Sequence, residues 1–164
     1  MKLDDINTKA EELKRAGKED ELISYAQKVG LSVEDAEDYI DGLVDELATS
    51  TYLAGAIIET QAKGIKCEGI IKDWVQSITQ IAQNDTEIAN NIIEHDDCDL
   101  VHCLAQLIRY SFKNKCEVDD KIVSVTMITH NGKEEKLRGP LYIGIPSRAE
   151  LQKIVREYYG GGRK

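Results

Sequence analysis

The sequence predicts a mainly α protein, an antiparallel helical bundle with a short C-terminal β-hairpin and a final helix as a minor α+β part. Apolar residues recur at helical spacing through most of residues 4–114. Glycines and capping residues punctuate that pattern at short intervals. The clearest apolar–polar alternation, Lys121 to Ile128, is followed by Asn131-Gly132, the signal of a tight hairpin turn. A chain of 164 residues, 41% of them hydrophobic, can bury one respectable core with a small satellite beside it. The expected organisation is an acidic three-helix module over 1–49, a helical bundle over 50–116 and a hairpin plus helix over 117–164, packed as one compact unit.

Residues 4–16 place Ile6, Ala10 and Leu13 on one face and stop at Gly17, and Glu19 to Val29 repeats the pattern with Leu22, Ile23 and Ala26 before Gly30. Ser32 caps a third helix, with Asp35 completing a near capping box and Ala36, Ile40, Leu43 and Leu47 as the buried stripe. A fourth helix covers 51–64 (Leu53, Ala56, Ile57) and a fifth covers 68–83, with Trp74 as a core anchor. Asn84-Asp85 turns the chain into a sixth helix that runs to about Glu94. Asp97 then caps a seventh from about Cys98 to Asn114. Beyond Lys115, Lys121 to Ile128 is strand-like, and Glu134 to Arg138 is the return strand. Leu141 to Pro146 is a further extended piece, and Ser147 with Glu150 forms a capping box for the last helix, whose stripe is Leu151, Ile154, Val155 and Tyr158. Gly160 to Lys164 reads as a frayed tail.

The net charge of −9 is concentrated at one end, since residues 1–49 hold 14 acidic against 6 basic side chains. Such a chain is poorly suited to binding nucleic acid directly, which needs clustered Lys and Arg, and better suited to a basic partner. On the third helix Glu34, Asp38, Asp41 and Asp45 follow one another at spacings of four, three and four, which aligns them along one ridge. Neighbouring carboxylates there stand roughly 6 Å apart, close to the step between phosphates on a nucleic-acid strand. The ridge is either a solvated face or a patch that imitates nucleic acid toward a basic groove. It is not a calcium loop, because Asp35-Ala36-Glu37-Asp38-Tyr39 lacks oxygen ligands at alternate positions and the glycine at the sixth.

A second group of residues suggests a metal. If the fifth, sixth and seventh helices alternate in direction, Cys67, His95, Cys98 and His102 meet at one end of the bundle. Cys98 and His102, four apart, would share a helix face, and the set suits a closed tetrahedral zinc site, with Asp96 or Cys103 as a substitute for one ligand. Four protein ligands leave no open position, so the zinc would be structural. The opposite possibility is two ordinary thiols and two surface histidines. Cys103 lies between Leu100 and Leu107 on the apolar face, and Cys116 falls roughly 27 Å along the helix from Cys98, too far to join. His130 belongs to the hairpin turn.

The sequence has no GxxxxGK, GxSxG or HExxH motif, so no enzyme activity is expected. It has no apolar run near twenty residues, and its acidic start lacks the apolar stretch of a signal peptide. The expected location is the cytoplasm of a bacterial host, where cysteines stay as thiols or bind metal.

Three runs carry a resemblance: Lys9-Ala10-Glu11-Glu12-Leu13-Lys14-Arg15-Ala16-Gly17-Lys18-Glu19-Asp20-Glu21-Leu22, Glu34-Asp35-Ala36-Glu37-Asp38-Tyr39-Ile40-Asp41-Gly42 and Leu137-Arg138-Gly139-Pro140-Leu141-Tyr142-Ile143-Gly144-Ile145-Pro146. They resemble small proteins of phages and mobile elements in gut Firmicutes, some of which are anti-CRISPRs that inhibit the type II CRISPR effector nuclease. The resemblance implies a stoichiometric inhibitor that binds the nuclease at a basic channel normally filled by guide or target. It assigns no site residue. The alternative is a zinc-stabilised regulatory or DNA-binding protein of a mobile element, touching phosphates through Lys133, Lys136, Arg138, Arg148, Lys153 and Arg156.

Overall fold

The structure is a computed structural model that describes residues 2–95 and 97–160. Its described residues form nine α-helices and two small antiparallel sheets, in the order α1 Leu3–Arg15, α2 Glu19–Lys28, α3 Val33–Ile40, α4 Ser50–Lys63, α5 Ile70–Asn84, α6 Thr86–Glu94, α7 Leu100–Lys113, β1 Cys116–Glu117, α8 Asp120–Val125, β2 Met127–His130, β3 Lys133–Lys136, β4 Tyr142–Ile143 and α9 Arg148–Gly160. No helix among them is long and apolar enough to cross a membrane.

The N-terminal helices form because their apolar positions fall on one face, and they stop where the chain turns left-handed. In α3 the Ser32 side chain accepts from the Asp35 N–H while Asp35 accepts from the Ser32 N–H at 2.7 Å, so two donors at the helix start are satisfied reciprocally. The helix ends when Gly42 takes φ +74. There the Leu43 N–H donates to the Asp38 carbonyl and the Gly42 N–H to that of Tyr39, the paired closing bonds of a Schellman motif. The same pair of bonds closes α1 and α2.

Two hydrophobic clusters share the middle of the chain. The first gathers Ile6, Ala10 and Leu13 of α1, Leu22 and Ala26 of α2, Ala36 and Tyr39 of α3, then Leu47, Leu53 and Ile93. The second gathers Ala54 and Ile58 of α4 with Trp74, Ile78, Ile88, Leu100, Cys103, Leu107, Leu151 and Val155. Each fully buried Leu or Ile contributes about 1.5–3 kcal/mol of transfer free energy. Consecutive residues of α4 and α6 therefore serve different cores, Leu53 against Ala54 and Ile92 against Ile93. The boundary expected at 49/50 coincides with Thr49, which caps α4 by accepting from the Tyr52 N–H. Within the N-terminal part, Asn7 ties the segment before α4 to α1, donating to the Ala48 carbonyl at 2.9 Å and accepting its N–H at 3.2 Å. α9 packs into the bundle core through Leu151, Val155 and Tyr159.

Three expectations about elements need correction. The third helix does not continue to Leu47: residues 41–47 are irregular, and Leu43 is 72% exposed instead of buried. The seventh begins at Leu100, because Asp99, not Asp97, supplies the cap by accepting the His102 N–H at 2.8 Å. The alternating stretch from Lys121 is helical as far as Val125, since Asp119 caps it by accepting the Lys121 N–H at 2.8 Å, and only Met127–His130 is strand. The hairpin is as expected: Asn131 and Gly132 both have positive φ, and Met127 pairs with Lys136 and His130 with Lys133. β1 pairs with β4 and draws residue 144 tightly across the end of α7. The Ser147–Glu150 capping box opens α9, and Tyr110 of α7 donates to Glu150.

Candidate functional site

The acidic surface is built on α3 and the irregular segment after it. Of the expected ridge, Glu34 and Asp38 are helical, Asp41 is the C-cap, and Asp45 lies in the turn beyond. The ridge is thus broken at Gly42 and does not extend as one line of carboxylates. Asp38 and Asp45 instead meet Asp35 and Glu46 around a cavity of about 560 Å³, with Val44, Leu47, Ala48, Thr49 and Tyr52 also lining it. Glu34 and Asp41 are exposed and do not line that cavity. The result is an acidic rim around partly apolar walls, a shape that suits the aliphatic stem and charged head of Lys or Arg.

Asp35 is the fixed point of this cavity. Its Oδ2 accepts from the Ser32 N–H and hydroxyl, both at 2.7 Å, and its Oδ1 accepts from the Tyr52 hydroxyl at 2.8 Å. Burial on its own would raise the Asp35 pKa, but these hydrogen bonds outweigh it and hold the carboxyl below its ordinary value. The same bond to Asp35, followed by burial, pushes the Tyr52 phenol up to about 12. Below the rim, Lys14 donates to the Tyr39 carbonyl and lies 4.4 Å from the Tyr39 ring centroid, fixing the end of α3 against α1.

The acids at the end of α3 are placed against local stability, whereas Glu34 and Asp35 lie in its favourable first turn. Its last turn holds no basic residue, while Asp38 and Asp41 sit at the end where the helix dipole is negative. Each carboxylate there costs about 0.3–1 kcal/mol.

The second candidate is the corner where α4 ends and α7 begins. The Gln61 Oε1 accepts from the Leu100 N–H at 2.8 Å, and the half-buried Cys67 thiol donates to the Ala62 carbonyl at 3.6 Å. His95 is the exposed C-cap of α6, and its carbonyl accepts from the Cys98 N–H at 2.9 Å. Because α7 starts after its Asp99 cap, Cys98 precedes the helix and does not share a face with His102. The His102 Nδ1 stands 2.8 Å from Asp99 Oδ1. Among the described residues no three His, Cys, Asp or Glu side chains form a group that could hold a metal ion. Asp96, the possible substitute, lies outside the described residues. Cys103 is fully buried, and burial pushes its thiol up to about 12.

The basic C-terminal residues do not form a continuous cationic face. Arg156 pairs with Asp85 at 2.8 Å, Lys153 with Glu157 at 3.8 Å, and Lys133 and Lys136 flank Glu134 and Glu135 on β3. Residues absent from the sequence-based site, Asp35, Glu46 and Tyr52, are the ones that complete the acidic cavity. Gly42 was the available signal for that rearrangement, because it is the residue type that ends α1 and α2. The contact between Tyr52 and Asp35 across 17 positions has no local signature.

Comparison of the chain with protein-family models, with curated proteins and with solved structures finds no match.

Proposed function

We propose that this chain is a non-enzymatic, anti-CRISPR-like inhibitor that binds the type II CRISPR effector nuclease through its acidic N-terminal surface and blocks nucleic-acid loading. The observation that carries the proposal is the rim of Asp35, Asp38, Asp45 and Glu46 around a cavity of about 560 Å³, with α3 keeping acids at its unfavourable end. Local stability sacrificed for surface charge is characteristic of a surface selected for contact. The charge concentrated in residues 1–49 would accelerate encounter with a basic groove and make it salt-sensitive. The scattered, paired cations of the C-terminal region argue against the DNA-binding alternative.

The test mixes the purified protein first with labelled duplex DNA, then with a guide-loaded effector nuclease and its target, at low and physiological salt. Blocked target loading without affinity for DNA is the expected result. Reversing Asp38, Asp45 and Glu46 to Lys should weaken inhibition by at least about tenfold, since like charges would then face one another. Unchanged potency would exclude this surface, and tight binding to free DNA would favour the regulator.

Structural zinc belongs to the same proposal as a stiffener of the corner. Ala62, Ile65 and Cys98 all pack against the bundle core there, and the Asp99–His102 pair is the carboxylate–imidazole arrangement that commonly orients a ligating histidine. Zinc binding would require the Cys67 thiol to leave the Ala62 carbonyl. Elemental analysis should find about one zinc per chain, lost on Cys98→Ser; a folded, metal-free preparation that takes up no added zinc would remove it.

A further inference from the structure

The outer face of α7 is unlike the rest of the chain. In a protein with 30 acidic residues, the 14 residues of α7 include none. Val101, Ala105, Ile108 and Phe112, spaced four, three and four, form a stripe pointing away from the core; Val101 is 50% exposed, Ile108 38% and Phe112 69%. That is the spacing of a helix seam made to meet another element. Beside it Gln106, Arg109 and Lys113 of α7, with Glu157 of α9, line a cavity of about 450 Å³ between the two helices. Neither Arg109 nor Lys113 forms an ion pair among the described residues.

The same chain carries the complement. The segment Asp41-Gly42-Leu43-Val44-Asp45-Glu46 leaves the end of α3 with Leu43 and Val44 exposed and three carboxylates around them. An apolar pair flanked by acids thus follows α3, and an apolar stripe with Arg109 and Lys113 beside it lies on α7. We propose that the outer face of α7 is a self-association surface that receives the 41–46 segment of a second copy, head to tail. Leu43 and Val44 lie along the stripe, and Asp45 and Glu46 meet Arg109 and Lys113. Because the two halves of this contact are different patches, the interface is heterologous and adds further copies instead of closing on a dimer. It also covers two of the carboxylates offered to a basic partner, so self-association and partner binding compete.

The experiment is sedimentation of the full chain over a range of concentrations at low and high salt. The mean mass should rise with concentration, and less at high salt. Leu43→Ser with Val44→Ser, and separately Ile108→Ser with Phe112→Ser, should each abolish the rise. Mixed in equal amounts these two proteins should form a discrete heterodimer, because each keeps the half that the other has lost. Arg109→Glu with Lys113→Glu, which alters exposed residues only, should weaken association by at least about tenfold. Monomers at every concentration, or a mixture of the two Ser variants that stays monomeric, would overturn the proposal. Binding of an acidic amphipathic helical peptide to α7 by a protein that never self-associates would overturn it too, assigning the face to a foreign helix.

Discussion

Replacing Gly42 with Ala tests how the acidic surface is made. Gly42 sits at φ +74, and a methyl group built on it meets nothing within 4 Å, so the substitution adds no clash and acts through the backbone alone. A left-handed conformation costs an L-residue about 1–2 kcal/mol. Restricting the unfolded chain returns about 0.4–1 kcal/mol of that. The net destabilisation is therefore between about 0 and 1.6 kcal/mol, or a drop in Tm of up to about 6 °C for a chain of this size. Thermal unfolding followed by far-UV circular dichroism reads it. Gly42→Asn, whose side chain tolerates the left-handed region, should lose less than Gly42→Ala. A Gly42→Ala protein with an added turn of helix at no cost in stability would refute the Schellman closure and restore the continuous ridge of Glu34, Asp38, Asp41 and Asp45.

Asp85 both caps α6, accepting from the Ile88 N–H at 3.3 Å, and pairs with Arg156 of α9 at 2.8 Å. Asp85→Ala should cost about 1–2 kcal/mol in chemical denaturation, with Asp85→Asn and Arg156→Ala each losing under about 1 kcal/mol. Ile58 is fully buried in the bundle core, and Ile58→Ala should cost about 2–5 kcal/mol by the same measurement. The folded-state pKa of Asp35 is depressed, so its contribution to stability is complete above the unfolded value and is lost as pH falls through the folded one. The stability gap between the parent and Tyr52→Phe should accordingly be present at neutral pH and shrink on acidification below the ordinary carboxylate range; a gap independent of pH would show that the Tyr52–Asp35 bond does not set it.

Most of the helical frame could be read from the chain because its signals are local. The Ser32–Asp35 and Ser147–Glu150 boxes, Asp85 and the Asn131-Gly132 turn act within four residues, and each is where the pattern put it. Errors came where two local signals compete. Asp97 and Asp99 are both capable of capping α7, and only the geometry with His102 selects Asp99. That shift of two residues removes Cys98 from the helix and with it the shared face on which the zinc set depended. Ile122, Val123 and Val125 fit a single helical turn as well as a strand, and Asp119 decides between them. In α3 the apolar spacing of Leu43 and Leu47 continued the stripe past a glycine that ends it. The site itself was legible in residue type but not in arrangement, because an acidic cavity closed by Tyr52 is a tertiary contact.

The acidic module is useful to a partner only if it is held in place, and α4 is what holds it. Its sequence, Leu53-Ala54-Gly55-Ala56-Ile57-Ile58, is apolar all round instead of on one stripe, the mark of a helix buried on more than one side. Leu53 enters the N-terminal core, Ala54 and Ile58 enter the bundle, and Ile57 packs against both. Since one helix turn contributes to both cores, neither can rotate about α4 without exposing buried residues of the other. Tyr52, one residue before this run, closes the acidic cavity by bonding to Asp35. The Asp35 carboxylate is therefore positioned through a single covalent step from the packed core. This fixes one wall of the acidic cavity from the start of α3, and the rim should lose its shape when α4 fails.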